Sequence, residues 1–137
     1  MSTTESNQQP DPAFVRVGFA NEAFYLAFES KDFSAMNHLW SEAHDVICIH
    51  PGWAALIGRD VVMEGWRAIL DNPRQGAVSF YGATYRSLGQ GLYATVCYEV
   101  AGNAVMIATN VFVEEDERLR LVLHQAGYCA NPPPVPV

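Results

Sequence analysis

Positive charge is scarce in this chain. Eight Lys and Arg stand against fifteen Asp and Glu in 137 residues, a formal net charge of -7, and the eight form no basic cluster. A surface of that sign repels phosphate backbones and anionic headgroups, so neither nucleic acid nor a membrane surface is expected as a partner. Cysteine is scarce as well. Cys48, Cys97 and Cys129 are odd in number and lack CxxC spacing, and two of them sit in apolar strand patterns. That suits buried, reduced thiols of a cytoplasmic protein and argues against a disulfide framework. No apolar run approaches the roughly 20 residues needed to span a bilayer. The polar stretch Met1 to Asp11 has neither the basic start nor the apolar core of a signal peptide. No phosphate loop, dinucleotide fingerprint or GxSxG elbow occurs, so no cofactor is implied and nucleophilic hydrolysis is disfavoured. His38, His44, His50 and His124 show no HxH or HExxH spacing, so no metal is expected.

What is present is apolar. Half the residues are hydrophobic, enough for a single domain of this length to bury a core without staples. The expected organisation is a disordered leader over residues 1–11, one domain over 12–129 and a proline-rich tail over 130–137, whose prolines exclude helix or central strand. Asp11-Pro12 supplies an N-cap and a first-turn proline, so a helix is expected from Ala13 to about Ser30, covered on most of its surface. A second helix is expected over Phe33 to Trp40, directing Met36, Leu39 and Trp40 to the core. Val46 to Ile49 is a β-branched run that ends at Pro51-Gly52 and reads as a buried strand. After Leu56-Ile57, the Gly58-Arg59-Asp60 turn opens a third helix, stopped by Asp71-Asn72-Pro73.

The periodicity then changes. Ala77 to Leu88, Leu92 to Ala101, Ala104 to Glu114 and Arg118 to Tyr128 read as four long strands joined by hairpins at Gly89-Gln90-Gly91, Gly102-Asn103 and Glu115 to Glu117. Helices followed by a meander make an α+β domain with helices on one face of a curved sheet. These strands are apolar on both parities, as in Val105-Met106-Ile107-Ala108. A sheet face not covered by helices has no reason to be apolar unless a second copy buries it, so a homodimer through the sheet face is expected.

Cys48-Ile49-His50-Pro51-Gly52-Trp53 with Leu56, Gly58 and Arg59, and the closing Ala108-Thr109-Asn110-Val111-Phe112-Val113 followed by Arg120 to Gly127, resemble the SnoaL-like branch of the NTF2-like superfamily. The resemblance runs from about Ala13 to Tyr128. It implies an NTF2-like cone, three N-terminal helices packed on a curved, mainly antiparallel sheet around an apolar pocket. Ketosteroid isomerases, polyketide cyclases, dehydratases and noncatalytic proteins share that fold. The ketosteroid isomerase branch has its general-base Asp just before the Pro of this loop, where His50 stands. Its oxyanion-binding Asp precedes a Val-Phe pair in the penultimate long strand, where Asn110 stands before Val111-Phe112. Its oxyanion Tyr aligns with Phe24, beside Tyr25.

Candidate site residues follow. An imidazole titrates near neutral pH, so His50 is a candidate for proton transfer, and Asn110 could donate an amide hydrogen bond to a developing oxyanion. Trp53 follows a Pro-Gly turn outside any periodic element and is the indole expected in the pocket. Tyr25, Tyr98, His124 and Trp40 complete the expected substrate-binding set. His124 lies in a strand apolar on both parities, so its face is not fixed, and Glu99 either faces solvent or carries a shifted pKa inside the cone. Arg59 opens a helix, where its charge is disfavoured, and is expected to pair with a carboxylate or align the loop. Two functional readings stand. One is a small-molecule-binding protein with an apolar or aromatic ligand, acting as a cofactor-free isomerase or lyase through His50. The other is a noncatalytic ligand-binding or dimerisation module.

Overall fold

The computed structural model describes residues 11–136. The leader expected over residues 1–11 therefore falls, except for Asp11, outside the described residues. Helix α1 spans Pro12–Glu29, with the Asp11 side chain accepting from the Ala13 amide at 2.8 Å and Pro12 in the first turn. It ends where Lys31 turns left-handed at φ 57° and the Asp32 amide reaches back to the Ala27 carbonyl. Asp32 at once caps helix α2, Phe33–Leu39, through the Ala35 amide. One short linker thus ends one helix and starts the next.

Strand β1, Ile47–Ile49, is followed by β2, Leu56–Ile57, and helix α3, Arg59–Leu70. The four long strands are β3, Val78–Gly89; β4, Leu92–Ala101; β5, Ala104–Glu115; and β6, Arg118–Tyr128. They form one six-stranded sheet in the order β2-β1-β6-β5-β4-β3, antiparallel throughout except for the parallel pairing of β1 with β6. That parallel contact brings Cys48 opposite His124 and delivers the loop after β1 to the middle of the sheet.

Two irregularities curve the sheet. In β3 the register shifts between Tyr81 and Thr84, at Gly82 with φ +68°. The left-handed backbone favours glycine there, and a Cβ would lie 3.2 Å from the Tyr98 ring, which would have to shift by a few tenths of an ångström. In β6 the register shifts opposite Val111/Phe112, which puts Leu121 and His124, three residues apart, on the same buried face.

The core lies between the helices and the inner sheet face. Val17, Phe24, Met36, Trp40, Val46, Val62, Trp66, Phe112 and Leu121 have essentially no exposed surface. Each such side chain contributes about 1.5–3 kcal/mol on burial. Phe24, Phe28 and Trp66 meet edge to face, joining α1 to α3. One expectation is corrected: α1 is not covered on most of its surface. Only one side packs on the sheet, so Val15, Phe19 and Leu26 are exposed. No helix among the described residues is long and apolar enough to cross a membrane. Beyond Tyr128 the chain has no regular structure up to residue 136, and the Pro133 carbonyl accepts a hydrogen bond from Tyr81 at 2.7 Å.

Candidate functional site

A cavity of about 300 Å³ opens between α1, α3, the loop after β1 and the inner sheet face. Its apolar wall includes Phe28, Trp53, Ile69, Val78, Ala101 and Met106, and its polar groups are His50, Glu99 and His124, with Asn72 and Gln75 also present. His50 arrives because β1 ends there: the Pro51-Gly52 turn, closed by a hydrogen bond from the Trp53 amide to the His50 carbonyl, folds Trp53 back over the imidazole at 5.0 Å. Trp66 of α3 packs edge-on against the other side at 4.7 Å. Gly65 lies beside this loop, and a Cβ there would collide with the end of the Leu56 side chain while only touching Trp53 and His50.

Glu99 and His124 come from β4 and β6, one on each side of β5. Glu99 is 5 % exposed and has no Lys or Arg in contact; Tyr25 of α1 donates to its Oε2 at 2.7 Å. Burial raises the Glu99 carboxyl to about 7, against the lowering effect of the Tyr25 hydrogen bond. Burial, then the charges of Glu99 and Cys97, hold the Tyr25 hydroxyl far above its ordinary value, so it stays a proton donor to the carboxylate. Burial lowers His50 to about 4, and burial followed by His50 lowers His124 to about 3, so both imidazoles are neutral near pH 7. The rings lie 6.0 Å apart.

Asn110 organises the layer beneath. Its amide nitrogen donates to Asn21 Oδ1 at 2.9 Å and to the Tyr25 hydroxyl at 3.2 Å, and its Oδ1 faces His124 Nδ1 at 2.6 Å. Thr95 also donates to Asn21 Oδ1. The Cys97 thiol touches Tyr25 at 3.3 Å and is raised to about 11, mainly by burial. The Cys48 thiol touches His50 Nε2 at 3.4 Å and is raised by burial.

The residues singled out from sequence therefore separate into groups. His50, Trp53 and His124 line the cavity. Tyr25 and Asn110 are buried behind it. Both amide hydrogens of Asn110 are already given to protein acceptors, so none remains for a ligand. Tyr98 stands on the opposite sheet face, stacked on Tyr81 at 5.5 Å, because it alternates with the inward-facing Cys97 and Glu99. Trp40 ends α2, bridges to Leu121 and is sealed in the core rather than exposed to the cavity. Arg59 aligns the loop, donating to the carbonyls of Asn37, Trp40 and Ser41. Asn21 and Phe28 were not anticipated. Both lie on the buried face of α1, Asn21 against Cys97, Thr95 and Asn110 of the sheet and Phe28 against Trp66 of α3, and no local sequence signal marks that face. Among the described residues no group of three His, Cys, Asp or Glu side chains could hold a metal ion.

Comparison with known proteins gives consistent findings. The sequence matches the family model described as a SnoaL-like domain over residues 17–130. No curated relative matches. A crystal structure from Streptomyces avermitilis, whose name proposes a dehydratase of the NTF2-like family, is similar with TM-score 0.78 and 28% identity, covering 90% of this chain and all of that one. A structure from Thiobacillus denitrificans, named as a proposed calcium/calmodulin-dependent protein kinase type II association domain, has TM-score 0.66 and 30% identity over 80% of this chain and 92% of that one. A protein from Caulobacter vibrioides with a cystatin-like fold shares the fold alone, with TM-score 0.74 at 14% identity, covering 87% of this chain and 90% of that one.

Proposed function

The chain belongs to the SnoaL-like family, and on that premise we propose that it is a cofactor-free acid–base catalyst that eliminates water from a small, largely apolar carbonyl compound. The observation that carries this reading is Glu99. A carboxylate buried in a cavity with no cation beside it costs stability, and such a cost is commonly retained for proton transfer. A carboxyl near 7 is half protonated at neutral pH and can act as an acid while a neutral imidazole acts as a base.

In the proposed reaction His50 takes the proton α to the carbonyl at Nδ1, the ring nitrogen that the Cys48 contact leaves free. The C–H electrons form the new double bond, the β C–O bond breaks, and Glu99 protonates the departing hydroxide to water. Proton return from His50 to Glu99 resets the site. Trp53 and the apolar wall orient the substrate, while Tyr25 and Asn110 position Glu99 and His124. The dehydratase name of the Streptomyces avermitilis relative supports this class over isomerisation. The test is to incubate the protein with a panel of β-hydroxy ketones and follow enone absorbance. Turnover is expected, with His50→Ala slower by about 10²–10⁴-fold at unchanged circular dichroism. Equal turnover in the variant would dispose of the assignment.

We also assign a second copy of the chain to the outer face of the sheet. Val96 and Ile107 are exposed there, and Val100, Val105, Val111 and Leu123 are half-buried. Such a contiguous apolar surface favours association, and the Thiobacillus denitrificans relative is named for an association domain. Sedimentation velocity should show a dimer that Ile107→Asp converts to monomer. A wild-type monomer would remove this assignment without touching the catalytic one.

A further inference from the structure

The polar end of the cavity is a hydrogen-bonded ring with one gap. Asn21 Oδ1, which also accepts from Thr95, receives the Asn110 amide, and this fixes which end of the Asn110 side chain meets His124. Asn110 Oδ1 can only accept, so His124 carries its proton on Nδ1 and its Nε2 holds a lone pair. On the other arm Asn110 donates to the Tyr25 hydroxyl, and that hydroxyl donates to Glu99 Oε2. The two arms end at His124 Nε2 and Glu99 Oε2, 3.8 Å apart. That separation is too long for a direct hydrogen bond, and in the ionised form of Glu99 both ends are acceptors. Both residues line the cavity. Among the described residues no Lys or Arg lines it, and with both imidazoles neutral none of them offers a positive charge there.

We propose that the cavity selects neutral ligands carrying a hydroxyl group, whose O–H enters the gap between Glu99 and His124, and that it rejects carboxylates of the same shape. A hydroxyl supplies the proton that neither arm has, whereas a carboxylate would bring a third acceptor and a second negative charge into a site of low polarity. The proposal deepens the acid–base reading of the same cavity: the hydroxyl donates to Glu99 when the carboxylate is ionised and accepts from it when the carboxyl is protonated, the form that reading requires for elimination. It rests on that reading for the location of the site.

The experiment uses 4-ethylphenol, 4-ethylanisole and 4-ethylbenzoate, titrated calorimetrically into the full chain at pH 8. The phenol is expected to bind at least about tenfold tighter than the donor-free ether and than the anion. Glu99→Gln, which removes the charge and adds a donor, is expected to shrink the preference over the benzoate. In the wild-type protein, nitrogen NMR should show the His124 Nε2 resonance moving when the phenol is added, a readout that does not depend on the variant's folding. Benzoate binding as tightly as the phenol, a preference unchanged by Glu99→Gln, an unmoved Nε2 resonance, or no phenol binding each overturns the proposal. The readouts are of binding alone. Loss of the preference alongside His50-dependent turnover would sink the selectivity only, and an intact preference without turnover would sink the catalysis only.

Discussion

Glu99 on β4 and Glu115 at the end of β5 are both enclosed by the protein, and their surroundings push them in opposite directions. Glu115 is held by the Ser41 hydroxyl, the Glu42 amide at 3.1 Å, His44 at 3.2 Å and the Arg120 guanidinium at 3.9 Å. Burial alone would raise its carboxyl, but these donors and the Arg120 charge outweigh burial, and it sits below its ordinary value. Glu99 has one donor, Tyr25, and no cation, and burial wins. The same side chain thus serves as a structural tie where donors converge and as a titratable group where they are withheld. Arg59 belongs to the first region. Its four hydrogen bonds to Asn37, Trp40 and Ser41 fix the chain that carries the Glu115 donors.

The largest expected effect comes from removing the charge of Glu99. Its folded value, about 7, lies above the ordinary 4.5, so the native state keeps a proton that the unfolded state releases. Wild-type stability from this group therefore falls as pH rises between those values and is level above them. The buried histidines act oppositely, since their lowered values make the unfolded state the better proton binder as pH falls, and they cancel when a variant is compared with wild type. Glu99→Gln should thus gain about 3 kcal/mol on wild type between pH 4.5 and pH 8 in urea denaturation. A pH-independent difference would mean that Glu99 is paired as Glu115 is.

Glu115→Ala sharpens the comparison from the other side. It should destabilise by about 2 kcal/mol near pH 7, because it leaves the Ser41 hydroxyl and the Glu42 amide without their acceptor and the Arg120 guanidinium without the carboxylate beside it. Since the folded value of Glu115 is lowered, its stabilising contribution is complete above the unfolded value and is lost as pH falls through the folded one. The difference in urea midpoints between variant and wild type should shrink accordingly, while turnover and ligand binding stay unchanged. Loss of turnover would show that the two regions are coupled. Tyr25→Phe has the smallest effect. It removes the one donor to Glu99, so the midpoint of the protonated-carboxyl infrared band should rise, at a stability cost of about 1 kcal/mol. A midpoint that falls would contradict the role assigned to this hydrogen bond.

Much of the fold was readable because its signals are local. Asp11-Pro12 caps the first helix where its chemistry requires, and the Gly-Asn and acidic turns separate strands whose bounds differ from expectation by a residue or two at most. The loop from His50 to Trp53 was readable as a cavity wall because a turn interrupts a buried strand. His124 was ambiguous because the register shift in β6 breaks the alternation that would have oriented it. Tyr98 and Trp40 look like pocket aromatics by composition. One faces away through strand alternation and the other is sealed against Leu121.

The sequence by itself determined the order of helices and strands, the family and the position of His50, since capping, turn chemistry and hydrophobic period act over a few residues. Only the tertiary structure decided the character of Glu99. Its carboxyl is raised by burial among helices and strands from distant parts of the chain, is held back by Tyr25, 74 positions away in sequence and 2.7 Å away in space, and has no cation among the described residues that line the cavity. Desolvation and pairing are sums over neighbours from distant parts of the chain, so no local pattern contains them.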